Sequence, residues 1–257
     1  MDGTLLDGAG LLDKDFYNIY SALNRREILF CAASGRQLYN LQQTFSPISD
    51  QMAFIAENGS FVVSNGSEVF VQAMDKQVVR DMIRLARTVP GVQIVLSGKA
   101  KAYVENTTAD FMQQVDLYYD RKQVVNDLIE VNDDEFLKIA ICDFSGSETN
   151  SYPFFKHMED RLQVKISGKI WLDLSHPLAN KGVALKRLQE QLGIGQEETM
   201  VFGDYLNDLE MMQEAWFSYA MENAHEQVKA VSRFRAESNI NNGVGKILVQ
   251  VIESIAG

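Results

Sequence analysis

Apolar and polar positions along the chain follow two rhythms, and the change between them divides it. A tight polar turn, Asp2-Gly3-Thr4, leads into Leu5-Leu6. Phe16, Ile19, Tyr20 and Leu23 then recur with helical spacing behind Asp13, a residue suited to an N-cap. The continuous apolar run Ile28 to Ala33 predicts a parallel strand buried on both faces, closed by Ser34-Gly35-Arg36. A helical pattern through Leu38, Leu41 and Phe45 follows, then a short strand, Phe54-Ile55-Ala56, ending at Glu57-Asn58-Gly59. Strand, turn, helix and strand in that order are the βαβ rhythm of an open α/β sheet.

Near Met74 the rhythm changes. Residues 75–88 read as a helix, with Val78, Val79, Met82, Ile83 and Leu85 along one side. Val92–Leu96 and Ala102–Val104 read as a hairpin through Ser97-Gly98-Lys99, Phe136–Cys142 as a strand, 151–162 as a helix and Leu162–Ile166 as a strand. Hairpins flanked by helices suggest a separate α+β unit. After Trp171-Leu172-Asp173-Leu174 the first rhythm returns. A helix through Leu185, Leu188 and Leu192 stops at Gly193, and the strand 200–202 opens into the acidic turn Gly203–Asp208. The strand Phe217–Met221, a short helix near 225–232 and a last helix carrying Val244, Ile247, Leu248, Val251 and Ile252 complete the chain. The predicted architecture is a doubly wound, Rossmann-like α/β core in two segments, 1–74 and 167–257, with an inserted α+β module at 75–166.

Composition narrows the function classes. The chain has 257 residues, 46% hydrophobic and 23% charged, as in a globular protein. No apolar run approaches the ~18 residues of a spanning helix, and no signal peptide is visible. A formal net charge of −11 argues against a nucleic-acid partner, since no basic patch is present to displace counterions. A small anionic substrate stays open if local cations overcome that field. Cys31 and Cys142 sit in apolar runs and read as buried, reduced thiols, which fits a cytoplasmic setting. His157, His176 and His225 show no ligand spacing.

The candidate chemistry sits at strand ends. Asp204 and Asp208 lie four apart across one turn, so both carboxylates can converge on a hard cation such as Mg²⁺. A helix start enriched in acids is the alternative. In a parallel sheet the carboxyl-end turns face one crevice, which would gather Asp2-Gly3-Thr4, Ser34-Gly35-Arg36, Lys181, Asp204, Asn207 and Asp208. Acids, one lysine, one hydroxyl and glycine-lined turns suit phosphoryl transfer, which is mostly positioning and charge neutralisation. Ser34 also suits a helix N-cap, Arg36 a scaffold ion pair and Lys181 a solvated helix start.

These motifs, in this order and over nearly the whole chain, resemble the haloacid dehalogenase (HAD) superfamily of phosphohydrolases. The similarity is to its Cof-type sugar-phosphatase branch with a C2B cap. It rests on Met1-Asp2-Gly3-Thr4-Leu5-Leu6, Ala33-Ser34-Gly35-Arg36, Ala56-Glu57-Asn58-Gly59, Asn180-Lys181-Gly182, Gly203-Asp204-Tyr205-Leu206-Asn207-Asp208 and Asn223-Ala224. The resemblance implies a phosphatase of small phosphorylated metabolites, sugar phosphates first, and a monomer or weak dimer with no membrane or nucleic-acid partner. It makes Asp2 the general acid/base and a contributor to the Mg²⁺ site. Ser34, with Gly35, Arg36 and Asn207, would hold the phosphoryl group, Lys181 would neutralise it, and Asp204 and Asp208 would bind Mg²⁺. The cap would close over substrate, with Ser97-Gly98-Lys99 and Ser167-Gly168-Lys169 as selectivity loops.

Two departures stand out. The family's nucleophilic aspartate lies two positions before Asp2, at the end of a first strand, and so would precede Met1. The expectation is a shortened start, with the 257-residue chain showing little turnover and a chain extended by an apolar strand and aspartate being active. A metabolite sensor on the same scaffold is the alternative. Glu222 stands where the branch usually has glycine.

Overall fold

The computed structural model describes residues 1–255. Helix α1, Phe16–Asn24, buries Phe16, Ile19, Tyr20 and Leu23, the residues whose spacing predicts it. Its start falls later than Asp13, whose carboxylate instead accepts from the Asp15 amide at 2.9 Å. Strand β1, Cys31–Ala33, pairs in parallel with β2, Ala53–Ala56, across helix α2, Leu38–Thr44. β1 is shorter than the apolar run, because only its last three residues enter the ladder. β3, Phe61–Ser64, and β4, Ser67–Val71, then extend the sheet antiparallel to give the order β1-β2-β3-β4.

The second unit opens at α3, Lys76–Ala86, whose N-cap Asp75 accepts from the amides of Gln77 and Val78. β5, Val92–Gly98, and β6, Ala102–Val104, form the predicted hairpin. Helix α4, Ala109–Tyr118, and β7, Lys122–Val124, come next, with β8, Phe136–Asp143, at the centre of the sheet. The helix predicted at 151–162 is reduced to α5, Tyr152–Phe155, flanked by a π turn and a 3₁₀ turn. Beyond Phe155, Met158 is the sole apolar residue up to Leu162, too little to anchor further turns. β9, Gln163–Gly168, and β10, Trp171–Ser175, complete a six-stranded sheet ordered β7-β6-β5-β8-β10-β9.

The boundary at residue 167 needs moving. β10 pairs antiparallel with both β8 and β9, so the inserted sheet runs to Ser175. The apolar alternation of Trp171–Leu174 marks the last cap strand, not the return to the core. That return begins at α6, Lys181–Leu192, ended by left-handed Gly193. β11, Met200–Gly203, α7, Leu209–Gln213, β12, Phe217–Met221, α8, Glu226–Val231, β13, Phe234–Ala236, and α9, Gly243–Ile255, follow, and the three strands pair in parallel. Ile55 and Val62 of one core sheet and Val201 and Ala220 of the other share one apolar cluster with Leu23, Leu185, Leu188 and Leu248. The cap sheet buries its own cluster around Ile83, Leu96, Ile139, Phe155 and Leu172. No helix among the described residues is long and apolar enough to cross a membrane.

Candidate active site

The predicted site residues meet at one cavity. Asp2, Ser34, Gly35, Arg36, Lys181, Asp204, Asn207 and Asp208 all line a space of about 490 Å³ between the core strand ends and the cap. The N-terminal turn is held there by Asn223, whose Nδ2 donates to the Gly3 carbonyl at 2.8 Å.

Lys181 is buried, not solvated. Asn180 caps α6 by accepting from the Val183 amide at 2.8 Å, which aims the first helical residue inward. Lys181 Nζ donates to Asp208 Oδ1 at 2.6 Å. Asp208 Oδ2 accepts from the Asp204 and Tyr205 amides at 3.0 and 3.2 Å. Burial opposes the charged form of Asp208, but the Lys181 charge and these hydrogen bonds outweigh it and hold the carboxyl low. Asp204 behaves oppositely. Burial and the Asp208 charge push its carboxyl up, against the Thr4 hydroxyl that donates to it.

Arg36 forks onto Asp2, with Nε donating to Oδ2 at 3.0 Å and Nη2 to Oδ1. Burial would raise the Asp2 carboxyl, yet the Arg36 bonds and charge bring it below the usual range. Ser34 is buried and its Oγ accepts from the Arg36 amide at 3.2 Å. It is not the cap of α2, because Gln37 occupies that position. Asn207 Nδ2 donates to Asn58 Oδ1 at 3.0 Å, linking the acidic turn to the loop after β2. Glu222 leaves the anion site alone; it accepts from the Ser238 amide at 3.3 Å and does not line the cavity.

Sequence reasoning passed over Lys138. Lys138 of β8 reaches from the cap into the core with its side chain 4% exposed. Its Nζ donates to the Gly35 carbonyl at 2.9 Å and stands 2.9 Å from Glu57 Oε2 and 3.4 Å from Asp173 Oδ2. The Glu57 contact is an ion pair by distance. Ser97 donates to Glu57 Oε1 at 2.6 Å, and Asn58 donates to Asp173 Oδ2 at 3.1 Å. Burial lowers the Lys138 ammonium, but the Asp173 and Glu57 charges carry it well above its ordinary value. Burial likewise pushes the Asp173 carboxyl up. Glu57, Asn58 and Gly59 all hold positive φ, 51°, 55° and 104°. A side chain at Gly59 would sit 2.3 Å from the Asn180 carbonyl oxygen, so only glycine fits where this loop meets α6. Left-handed non-glycine residues cost about 1–3 kcal/mol each and persist where surroundings over-determine them. Here Lys138, Ser97, Asp173 and Asn207 do so.

Of the two proposed selectivity loops, Ser167-Gly168-Lys169 lines the cavity and Ser97-Gly98-Lys99 does not. Ser97 serves Glu57, and Lys99 pairs with Glu68 and Glu135 at 2.6 and 3.0 Å. Both cysteines are free, and burial pushes each thiol up to about 12.

Known proteins resemble this chain in sequence and fold. Residues 1–248 match the haloacid dehalogenase-like hydrolase family. The chain is 34% identical over 256 residues to 5-amino-6-(5-phospho-D-ribitylamino)uracil phosphatase YbjI of Escherichia coli K12, covering 98% of this chain and 94% of that one. It is 24% identical over 279 residues to Phosphatase YwpJ of Bacillus subtilis, covering 98% of each. A crystal structure from Streptococcus mutans UA159 superposes with a TM-score of 0.90 at 28% identity, covering 98% of this chain and 97% of that one. With its fold, its ordered motifs and a family match spanning residues 1–248, the chain belongs to the haloacid dehalogenase-like hydrolases.

Proposed function

We propose that this hydrolase is a Mg²⁺-dependent phosphatase of small phosphorylated metabolites, working through an aspartyl-phosphate in a cytoplasmic setting. The observation that carries the reading is the buried Lys181–Asp208 pair beside Ser34, Arg36 and Asp204 in one cavity. In it, Ser34 and Asn207 hold the phosphoryl group by hydrogen bonds while Lys181 neutralises its charge. We take the phosphoryl-accepting carboxylate to be the aspartate that the family carries two positions before the residue matching Asp2. Asp2 then protonates the leaving oxygen and afterwards takes a proton from the attacking water. Bound to Arg36 it is ionised, which suits the second task. The first requires Arg36 to turn to the phosphate, which frees Asp2 to take up a proton.

The residues fit Mg²⁺ in a restricted way. Among the described residues no group of three or more His, Cys, Asp or Glu is close enough to hold a metal alone. Asp2 spends its oxygens on Arg36, and Asp208 spends its own on Lys181 and two amides. Mg²⁺ commonly takes one or two carboxylates plus water and substrate oxygens. Asp204, raised by burial and by its like-charged neighbour, is the carboxylate that a cation would relieve. Bound there, the metal would supply charge neutralisation at the phosphate. Asp204→Asn is expected to weaken Mg²⁺ binding at least tenfold, about 1.4 kcal/mol, in calorimetric titration; unchanged affinity would remove Asp204 from the site.

The activity test is phosphate release from a panel of esters with Mg²⁺ and with a chelator. The panel includes sugar phosphates and the ribitylaminouracil phosphate for which the E. coli relative is named. The 257-residue chain and one carrying an apolar strand and aspartate ahead of Met1 are run together. Metal-independent release, or none from either chain, sinks the reading.

A further inference from the structure

All three carbonyls of the Ser34-Gly35-Arg36 turn are engaged. Those of Ser34 and Arg36 accept from the Asn58 and Glu57 amides at 3.0 and 3.1 Å, both in the core loop after β2. The middle one, that of Gly35, is held from the cap instead, by Lys138 Nζ at 2.9 Å. Burying an ammonium to satisfy one carbonyl is unfavourable on its own. Glu57 and Asp173, 2.9 and 3.4 Å from Nζ, keep it charged and in place. No step assigned to the phosphate site calls on this ammonium.

Peptide geometry carries its effect further. The Gly35 carbonyl and the Arg36 N–H belong to one peptide plane, and across a trans bond they point opposite ways. No peptide bond among the described residues is cis. The Arg36 amide donates to Ser34 Oγ at 3.2 Å. Ser34 is buried on the cavity wall, and its own O–H has no acceptor among the described residues. With the amide occupying one lone pair of Oγ, the hydroxyl proton is left to donate to an anion in the cavity. A cation on the Gly35 carbonyl fixes the peptide plane and polarises it. The amide then donates more strongly, and so does the hydroxyl beyond it.

We propose, on the phosphatase reading of this cavity, that Lys138 is a positioning residue for phosphoryl binding. From the cap it sets the Gly35–Arg36 peptide and, through it, the Ser34 hydroxyl that holds the phosphoryl group. It acts through Ser34 and makes no contact with the phosphate itself.

A double-mutant cycle with Ser34 tests it. Inorganic phosphate is titrated calorimetrically, with Mg²⁺ present, into the 257-residue chain and into the chain extended ahead of Met1; the tighter binder carries the substitutions. Lys138→Met is combined with Glu57→Gln and Asp173→Asn, so that no buried charge is left unpaired. This neutral set is expected to weaken phosphate binding about fivefold when Ser34 is present. On Ser34→Ala it should weaken binding by less than about twofold, because the hydroxyl that relays the effect is gone. The Arg36 amide proton, now a weaker donor, should move upfield in the ¹H–¹⁵N spectrum of the neutral set. Equal weakening with and without Ser34, unchanged affinity, or an unmoved Arg36 amide overturns the proposal and leaves the phosphatase reading standing. A neutral set that cannot fold shows the cluster to be structural and overturns it as well. If neither unsubstituted chain binds phosphate, the phosphatase reading itself fails and the role of Lys138 goes with it.

Discussion

Lys138→Met is expected to destabilise the protein by about 3–5 kcal/mol, the cost of breaking a buried ion pair from one side. Urea unfolding at pH 7 measures it. The substitution keeps the apolar stem and removes the one ammonium that stands between Glu57 and Asp173, leaving two carboxylates almost wholly buried. Asp173→Asn is expected to cost far less. It keeps an acceptor for Asn58 and leaves Lys138 paired one-to-one with Glu57. The deficit of Lys138→Met carries a pH signature. Burial already raises the Asp173 carboxyl in the native protein, and the Lys138 charge opposes that rise. Without the lysine the folded-state pKa climbs further above the unfolded value. A group raised on folding destabilises increasingly as pH rises through its folded pKa and ceases to do so below its unfolded pKa. The variant should therefore approach wild-type stability on acidification from pH 7 toward ~5. A deficit that stays constant or grows over that range would show that lost packing, not the buried charge, is responsible.

Made in the chain that carries the added strand and aspartate, Lys181→Met is expected to slow phosphate release by about 10²–10³-fold, the scale for removing one preorganised group that stabilises developing charge. Its effect on stability should be smaller than that of Lys138→Met. Asp208 loses its ammonium but keeps two amide donors, from Asp204 and Tyr205. Lys181→Arg should not restore activity. The lysine side chain is 5% exposed, and a planar fork needs more room than a point charge. Inorganic phosphate affinity gives a second readout independent of turnover. If phosphate binds Lys181→Met as tightly as wild type, Lys181 is a structural partner of Asp208 and nothing more.

The core's helices and carboxyl-end turns were legible in the sequence because their signals are local. Phe16, Ile19, Tyr20 and Leu23 share a helix face, Ser34 and Asp204 follow strands, Lys181 opens a helix, and Asp2 sits in the first turn. The hairpin of β3 and β4 carried a signal that went unused, Asn65-Gly66 with φ of 48° and 73° between apolar strands. Helix α4 was harder. It buries only Phe111 and Val115, one turn apart in a polar stretch. Of the cap's share of the cavity, only the Ser167-Gly168-Lys169 turn was readable. Lys138 lies amid an apolar strand, and a single lysine there looks like an edge or an exposed face. What makes it central is Glu57 and Asp173, respectively 81 and 35 residues away. No periodicity encodes such pairings. The shifted domain boundary had the same cause, since Trp171–Ser175 joins the cap only through its partners β8 and β9.

The left-handed run Glu57-Asn58-Gly59 bears on how the molecule assembles. Its two non-glycine members face partners on the cap, Lys138 and Asp173, while Asn58 also anchors Asn207. A core that has folded before its cap docks lacks those partners, and the loop is free to relax to ordinary backbone angles. Docking then bends it into place and sets Asn207 at the same stroke. Competence for phosphate thus arrives with the closing long-range contacts of folding, and core and cap should melt in a single cooperative transition.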